Sequence, residues 1–366
     1  MQVENGLTSS ELRTLYPLGF GCSDFQIKPA DGSYICGRAM DFPLPMDSHL
    51  IIYNRESRFC STAPDGSAGL EWTSKYGFVA INAFGLPDAD EGMNEKGLSC
   101  GFLTLPETQY PTVPPHEQGL ALAMIDVGNW ILGNFATIAE VKEGLSSVRI
   151  WGNFVAQMGS VPLVHIALHD SCGENLVVEF IRGKIKLYDN PVGVLTNEPR
   201  FKFHIHDLKR YNALSPSTPS NTTINGHSIV SYIETGMLGI PGDWSSTSRF
   251  IRIAEIIRYL TLPLTALQGV IAAKSILNSV NLPPGAVTAP FMGKTATATT
   301  LWSSIKDLTN KIFYYSTSDG AIRSVRLPEM DFSPGSIHTT LPVQTSIPFI
   351  LDVTQQLSSS PNTPIS

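Results

Sequence analysis

From Phe25 the chain steps between apolar and polar residues, turns at Asp31-Gly32 and continues through Tyr34-Ile35-Cys36-Gly37-Arg38. This period of two predicts a hairpin. It returns Arg38 and Asp41 toward Cys22, where the first strand starts. Residues 76–82 and 99–105 read as further strands, and Gly92-Met93-Asn94-Glu95-Lys96-Gly97-Leu98 has the polar centre and closing glycine of a turn. The Pro-rich stretch 111–118 reads as a loop. Residues 120–132 are strongly apolar and predict a core helix, although Asp126, Gly128 and Asn129 interrupt the pattern. Thr137 and Glu140 have capping-box spacing, so a second helix should run to about Leu145.

The period then returns to two. Residues 161–169, 176–180 and 184–188 predict consecutive antiparallel strands with turns at Ser171-Cys172-Gly173-Glu174 and Arg182-Gly183. Residues 213–223, rich in Ser, Pro and Asn, form an excursion. Ser245-Ser246-Thr247-Ser248 reads as a helix cap, after which Phe250, Ile253, Ala254, Ile257 and Leu260 recur at helical spacing. Another helix is expected over 264–280, strands over 298–303, 311–316 and 321–327, and a turn at Ser318-Asp319-Gly320. Strands, helices, strands, helices and strands in that order fit an α+β domain whose helices cover its sheets. No repeat or composition shift marks a second domain. No glycine-rich phosphate loop sits in a βαβ unit, so no nucleotide cofactor is indicated.

The 366 residues are 42% hydrophobic and 16% charged, with no apolar run long enough to span a bilayer. A formal charge of -7 without a Lys/Arg cluster argues against a nucleic-acid partner. Five scattered cysteines form neither a disulfide framework nor a CxxC metal knuckle. His204 and His206 have no third ligand at metal-site spacing, so no zinc site is expected. The first 21 residues lack the apolar core of a secretory signal. The compartment is periplasmic or extracellular if a signal precedes this chain, and cytoplasmic otherwise.

Cys22, preceded by Gly21 and followed by Arg38 and Asp41, has the ingredients of an activated thiol, because a nearby cation favours the thiolate. Each residue also has a plainer reading. A free cysteine is usually a small buried hydrophobe. Arg38 and Asp41 fit a surface ion pair, Thr104 a β-branched sheet position, and Asn197 a turn ahead of Pro199. Arg249 falls in or before the first turn of its helix, where a cation opposes the dipole and calls for a compensating partner.

Taken in order, Cys22, Gly37-Arg38 with Asp41, Gly92-Met93-Asn94-Glu95-Lys96-Gly97-Leu98, Leu195-Thr196-Asn197-Glu198-Pro199, and Pro241-Gly242-Asp243 leading to Ser248-Arg249-Phe250 resemble the motifs of the choloylglycine hydrolase family. That family includes bile salt hydrolases and penicillin V acylases, and the resemblance spans about residues 22–332. It implies the N-terminal-nucleophile fold, a four-layer αββα sandwich, with residues 1–21 a leader removed before activity. The catalytic domain would cover 22–350, followed by a disordered tail over 351–366.

The same resemblance implies that Cys22 supplies both the nucleophilic thiol and, once freed, the α-amine that serves as its base. Arg38 would stand beside the thiol, Asp41 hold the amine, Asn197 donate into an oxyanion hole and Arg249 stabilise charge. Thr104 stands where bile salt hydrolases carry Asn and penicillin V acylases Tyr; its backbone N–H could complete the oxyanion hole, but its side chain departs from both patterns. The implied activity is cofactor-free and metal-free hydrolysis of a small amphiphilic amide: a conjugated bile salt, penicillin V or a fatty N-acyl amide. An acyl-homoserine lactone acylase and a non-catalytic binding protein of the same fold are the alternatives. The segment between Asn197 and Arg249 resembles one used for tetramer assembly, so a homotetramer is expected.

Overall fold

The computed structural model of the chain describes residues 21–291, 294–318 and 320–344. The expected leader lies outside them except for Gly21, and so do the tail and Asp319 of the expected turn. Two antiparallel sheets form the centre. The first contains β1 (Cys22–Ile27), β2 (Ile35–Phe42), β10 (Val194–Leu195), β11 (Val287–Phe291), β12 (Lys294–Asp307), β13 (Ile312–Thr317) and β14 (Ile322–Arg326). The second contains β3 (His49–Tyr53), β4 (Phe78–Ile81), β5 (Glu91–Asn94), β6 (Ser99–Thr104), β7 (Val164–His169), β8 (Asn175–Ile181), β9 (Lys184–Asp189) and β15 (Leu341–Pro342). Strand order is β10-β1-β2-β12-β13-β14 in the first sheet, with β11 paired to the start of β12. In the second it is β9-β8-β7-β6-β5-β4-β3-β15.

Each sheet is covered on its outer face. Helices α4 (Ser246–Tyr259) and α5 (Ala266–Val280) lie on the first sheet, burying Phe250, Ile253, Val270 and Ile276 in the core that β1 and β2 also line. Helices α1 (Val127–Asn134) and α2 (Ile138–Gly144) cover the second sheet through Trp130, Ile131, Ile138 and Val141. A short α3 (Phe201–Asp207) follows β10. The layers therefore run helix, sheet, sheet, helix. No described helix is long and apolar enough to cross a membrane.

The sequence reading and the structure agree on many elements and part at several. Gly92 to Asn94, read as part of a turn, belong to β5, and the turn is confined to the residues after them; β3 and a hairpin of Arg58–Thr62 with Ala68–Thr73 had no counterpart in the reading. The apolar stretch 120–132 is not one helix. Its start forms a short strand, Ala121–Ala123, paired in parallel with Arg149–Trp151, and the α-helix begins only at Val127. Asp126, at the cap position, leaves the helix uncapped because its carboxylate accepts the Ser61 hydroxyl at 2.7 Å instead. The Pro-rich loop contains a 3-10 turn, Pro115–Leu120, with proline in its first turn. β12 is much longer than periodicity suggested, because one strand pairs with β11 near its start and then runs between β2 and β13.

The caps of α2 and α4 form as their sequences predict. The Thr137 side chain accepts the Glu140 N–H as a capping residue should, while Glu140 reaches back to the N–H of Ala136 at 2.7 Å. Ser245 caps α4.

Candidate active site

In an extended strand successive side chains face opposite ways, and directly paired residues share a face. The register therefore sorts the first sheet into rows. Cys22 pairs with Met40 and Met40 with Trp302; Asp24 pairs with Arg38 and Arg38 with Ser304; Gln26 pairs with Cys36 and Cys36 with Lys306. All nine face the second sheet, and all are buried. Ser23, Ala39 and Asp41 belong to the opposite parity, on the side of α4. The backbone of Cys22 thus stands between two environments, its thiol directed between the sheets and its flanking atoms toward α4.

The inter-sheet face is polar because its charges are matched across the gap. Arg38, fully buried, donates to Glu91 Oε2 at 3.1 Å, to Asp90 Oδ2 at 3.3 Å and to the Asp90 carbonyl at 3.0 Å. Its other terminal nitrogen donates to the Phe102 carbonyl and lies 4.0 Å from the Cys22 sulfur. Glu91 in turn accepts from Lys306 and from Ser304. Asp24 pairs with His169, whose second ring nitrogen meets Asn175. Arg38 and Asp41 do not form the surface ion pair that their spacing also allowed: both are buried, and the acidic partners of Arg38 are Asp90 and Glu91.

Burial pushes the Cys22 thiol above its usual pKa, and Arg38 only partly offsets this. Desolvation would lower Arg38, but Asp90 and Glu91 outweigh it and hold the guanidinium charged.

On the α4 side, the Cys22 N–H donates to Asn197 Oδ1 at 2.6 Å. Asn197 Nδ2 donates to the Thr104 carbonyl at 2.9 Å. A primary amide has two N–H donors, so one remains for another acceptor. Arg249 donates to the Cys22 carbonyl, to Ser23 Oγ at 2.7 Å, to Asn197 Oδ1 at 2.8 Å and to the Trp244 carbonyl at 3.0 Å. These acceptors are the compensation that a cation in the first turn of a helix requires. Asp41 Oδ1 accepts the Thr300 hydroxyl, whereas Oδ2 is buried with no hydrogen-bond partner among the described residues. That orphan oxygen lies 2.7 Å from where a Cβ on Gly21 would stand. Burial pushes the Asp41 carboxyl up to about 6, with Arg249 as the main opposing influence.

All six residues singled out in the sequence therefore gather at Cys22, but on two sides. Cys22, Asp41 and Thr104 line a largely apolar cavity with Met40, Phe42 and Phe102. Asn197 and Arg249 line a separate cavity with Gly21 and Trp244.

Sequence reasoning missed the second ring. His204 Nε2 donates to the Asn197 carbonyl at 3.0 Å and its ring stacks on Phe250 with centroids 4.7 Å apart. His165 Nε2 donates to the Thr196 carbonyl at 2.7 Å. Nothing in the local pattern marks Glu91, Lys306 or His165, whose partners lie far away in sequence, and His204, considered only as a metal ligand, instead holds a carbonyl seven residues before it. Among the described residues, no group of three His, Cys, Asp or Glu side chains is placed to hold a metal ion.

A family model for linear amide C–N hydrolases of the choloylglycine hydrolase family matches residues 22–340. The chain belongs to the choloylglycine hydrolase family. The bile salt hydrolase/transferase of Lactiplantibacillus plantarum is 34% identical over 242 residues, covering 65% of this chain and 72% of that protein. The penicillin V acylase of Pectobacterium atrosepticum is 27% identical over 342 residues, covering 87% and 84%. A crystal structure of a variant conjugated bile acid hydrolase from Clostridium perfringens matches with a TM-score of 0.77 at 26% identity, covering 90% of this chain and 100% of that one.

Membership in the choloylglycine hydrolase family identifies the four layers as the αββα sandwich of N-terminal-nucleophile hydrolases and the chain as a hydrolase of linear amides. The family match starts at Cys22, the residue on which the geometry converges.

Proposed function

We propose that this choloylglycine hydrolase family member cleaves the amide of an apolar acyl group with Cys22 as an N-terminal nucleophile, after residues 1–21 are removed. The observation that carries the reading is the surroundings of the Cys22 nitrogen. It donates to Asn197 Oδ1, its neighbour Gly21 stands against Asp41 Oδ2, which has no hydrogen-bond partner among the described residues, and it belongs to the same residue as a thiol lining an apolar cavity. A thiol raised by burial needs a base. A free α-amine has a reference pKa of about 7.7–8.0 and supplies one without a catalytic histidine.

The reaction then balances as follows. The α-amine takes the thiol proton while Sγ bonds to the amide carbon. The oxyanion is met by the remaining Asn197 N–H and the Thr104 backbone N–H. The α-ammonium gives its proton to the leaving nitrogen as the C–N bond breaks, leaving a thioester. Water, deprotonated by the α-amine, attacks the thioester; the C–S bond breaks and the thiolate regains the proton. Arg38 favours the thiolate during both steps, and Asp41 retains the ammonium form. Leader removal needs a different base, because the Cys22 nitrogen is still acylated. A water molecule takes the thiol proton while Sγ attacks the Gly21 carbonyl, and the Gly21–Cys22 C–N bond breaks with a proton passing to the released α-amine. Water then hydrolyses the leader thioester so that the thiol is regained.

Thr104 and the apolar cavity favour penicillin V or a fatty N-acyl amide alongside a conjugated bile salt. The test is to incubate processed wild type and Cys22→Ser protein with taurocholate, penicillin V and a long-chain acyl-homoserine lactone. Amine release, or release of homoserine lactone, by wild type alone supports the reading; none from any substrate refutes it. We also propose assembly as a homotetramer through the excursion before α4, where Ile229, Val230, Tyr232, Ile233 and Leu238 are exposed. Light scattering that gives a monomer would refute that assembly.

A further inference from the structure

The wall of the cavity beside Cys22 carries one polar group that the proposed reaction does not use. Phe42, Met46, Phe84, Leu86 and Met124 make this wall apolar, and Asp88 stands among them. The other polar lining residues, Cys22, Asp41, Thr104 and Asp90, have places in the site, Asp90 as a partner of Arg38. Asp88 has no cationic partner among the described ion pairs.

Its loop is braced. Asp88 Oδ1 accepts the Ala83 N–H at 3.1 Å, Asn82 Nδ2 donates to the Leu86 carbonyl at 2.6 Å, and Asn129 Nδ2 donates to the Pro87 carbonyl at 2.8 Å. On the far side, the helix α1 glycine Gly128 comes so close that a Cβ would stand 2.1 Å from the Ala89 carbonyl oxygen. These bonds fix the loop against the cavity wall, while the Asp88 side chain itself keeps partial contact with solvent. The charged and titratable groups around it are acidic or phenolic, namely Asp90, Asp126 and Tyr53, while Arg38 is committed to Asp90 and Glu91. Burial first, and then repulsion from Asp90, lifts the Asp88 carboxyl well above the usual carboxylate range. A carboxyl kept protonated in an apolar wall is a hydrogen-bond donor.

We propose that Asp88 is a specificity-determining residue that donates a hydrogen bond to an uncharged oxygen, whether hydroxyl, ether or ketone, carried by the acyl group of the amide substrate. The inference rests on the amidase reading above and adds to it the class of acyl group. An all-hydrocarbon chain would leave the donor buried without an acceptor, which disfavours binding.

The experiment uses processed enzyme and pairs of N-acyl amides of equal chain length, in which one methylene is replaced by an ether oxygen at successive positions. In wild type, kcat/KM should favour the ether at one position by roughly tenfold. Asp88→Leu should abolish or reverse that preference. Asp88→Asn should keep it, since the amide still donates. The wild-type preference should fall as pH rises and the carboxyl ionises, whereas that of Asp88→Asn should stay level. This second readout decides the matter if Asp88→Leu does not fold. Equal discrimination by wild type and Asp88→Leu, with hydrolysis intact, overturns the role of Asp88 alone. So does a wild-type preference for cationic acyl chains that Asp88→Asn loses. Failure of wild type to hydrolyse any amide overturns the amidase reading, and this inference with it.

Discussion

Asn197 accepts the backbone N–H of Cys22 on its side-chain oxygen at 2.6 Å, across 175 residues of sequence. The same amide donates from its nitrogen to Thr104, so its two ends have separable tasks. Asn197→Asp should keep an acceptor for the Cys22 nitrogen but lose the oxyanion donor. We expect leader removal, followed by intact mass, to persist in this variant while kcat falls on the order of 10²–10³. Asn197→Ala should impair both. Equal loss of both functions in the two variants would contradict the division.

Asp41 illustrates a conflict between stability and function. Its carboxyl is raised from 3.8 to about 6 by burial. A folded pKa above the unfolded value means that the native state binds the proton more tightly, so this contribution is fully present below pH 3.8 and lost as pH rises through about 6. Two pH units correspond to about 3 kcal/mol at most. In unprocessed Cys22→Ala protein, adding Asp41→Asn should therefore raise the urea midpoint at neutral pH, with the gain vanishing near pH 4. The same change in the active background should abolish turnover. A midpoint difference that is independent of pH would show that Asp41 is ionised at no cost.

His204 should give the opposite slope. Burial lowers its pKa from 6.5 to about 4 while its Nε2–H holds the Asn197 carbonyl. A depressed folded pKa contributes stability that is present above pH 6.5 and lost as pH falls through about 4. The full contribution is about 3 kcal/mol. His204→Gln should preserve a donor yet remove this acid sensitivity. The check is the urea midpoint of wild type and variant across that pH window, and parallel curves would refute the assignment.

How much of this was legible in the sequence depends on the range of each interaction. The hairpin that joins Cys22, Arg38 and Asp41 is local, and its alternation announced it. Arg249 announced itself by opposing its own helix dipole. The inter-sheet charges were hidden because polar alternation ordinarily marks a solvated sheet face. Thr300, Trp302, Ser304 and Lys306 look like the wet side of a strand, yet the last three are buried against the second sheet. Only long-range register brings Lys306 to Glu91. The apolar stretch before α1 misled for a related reason, since Ala121–Ala123 is claimed by a distant strand, Arg149–Trp151.

The Lys306 and Glu91 pair should be costly to break and cheaper to replace. Both side chains are fully buried, and Glu91 also holds Arg38. Lys306→Met alone leaves the carboxylate short of a partner and should destabilise the fold by roughly 3–5 kcal/mol. Glu91→Gln combined with Lys306→Met removes both charges, so the double variant should lose less than the sum of the single losses. Denaturant unfolding of the four proteins measures that coupling. Strict additivity would mean that the two charges do not sense each other.

Gly21 provides the most direct test of the leader hypothesis. A Cβ there would stand 2.7 Å from Asp41 Oδ2 and 3.0 Å from Arg249 Nη2, both on buried side chains, Asp41 tied to Thr300 and Arg249 to four acceptors. Gly21→Val should therefore displace the Gly21 carbonyl from the approach of the Cys22 thiol, leaving a full-length and inactive chain by intact mass. A version in which the initiating Met directly precedes Cys22 and is trimmed by methionine aminopeptidase lacks Gly21 altogether. It should be fully active. If Gly21→Val is processed as fast as wild type, the thiol does not attack that carbonyl. If the trimmed version folds with a free Cys22 amine but hydrolyses nothing, the leader is not what restrains the enzyme.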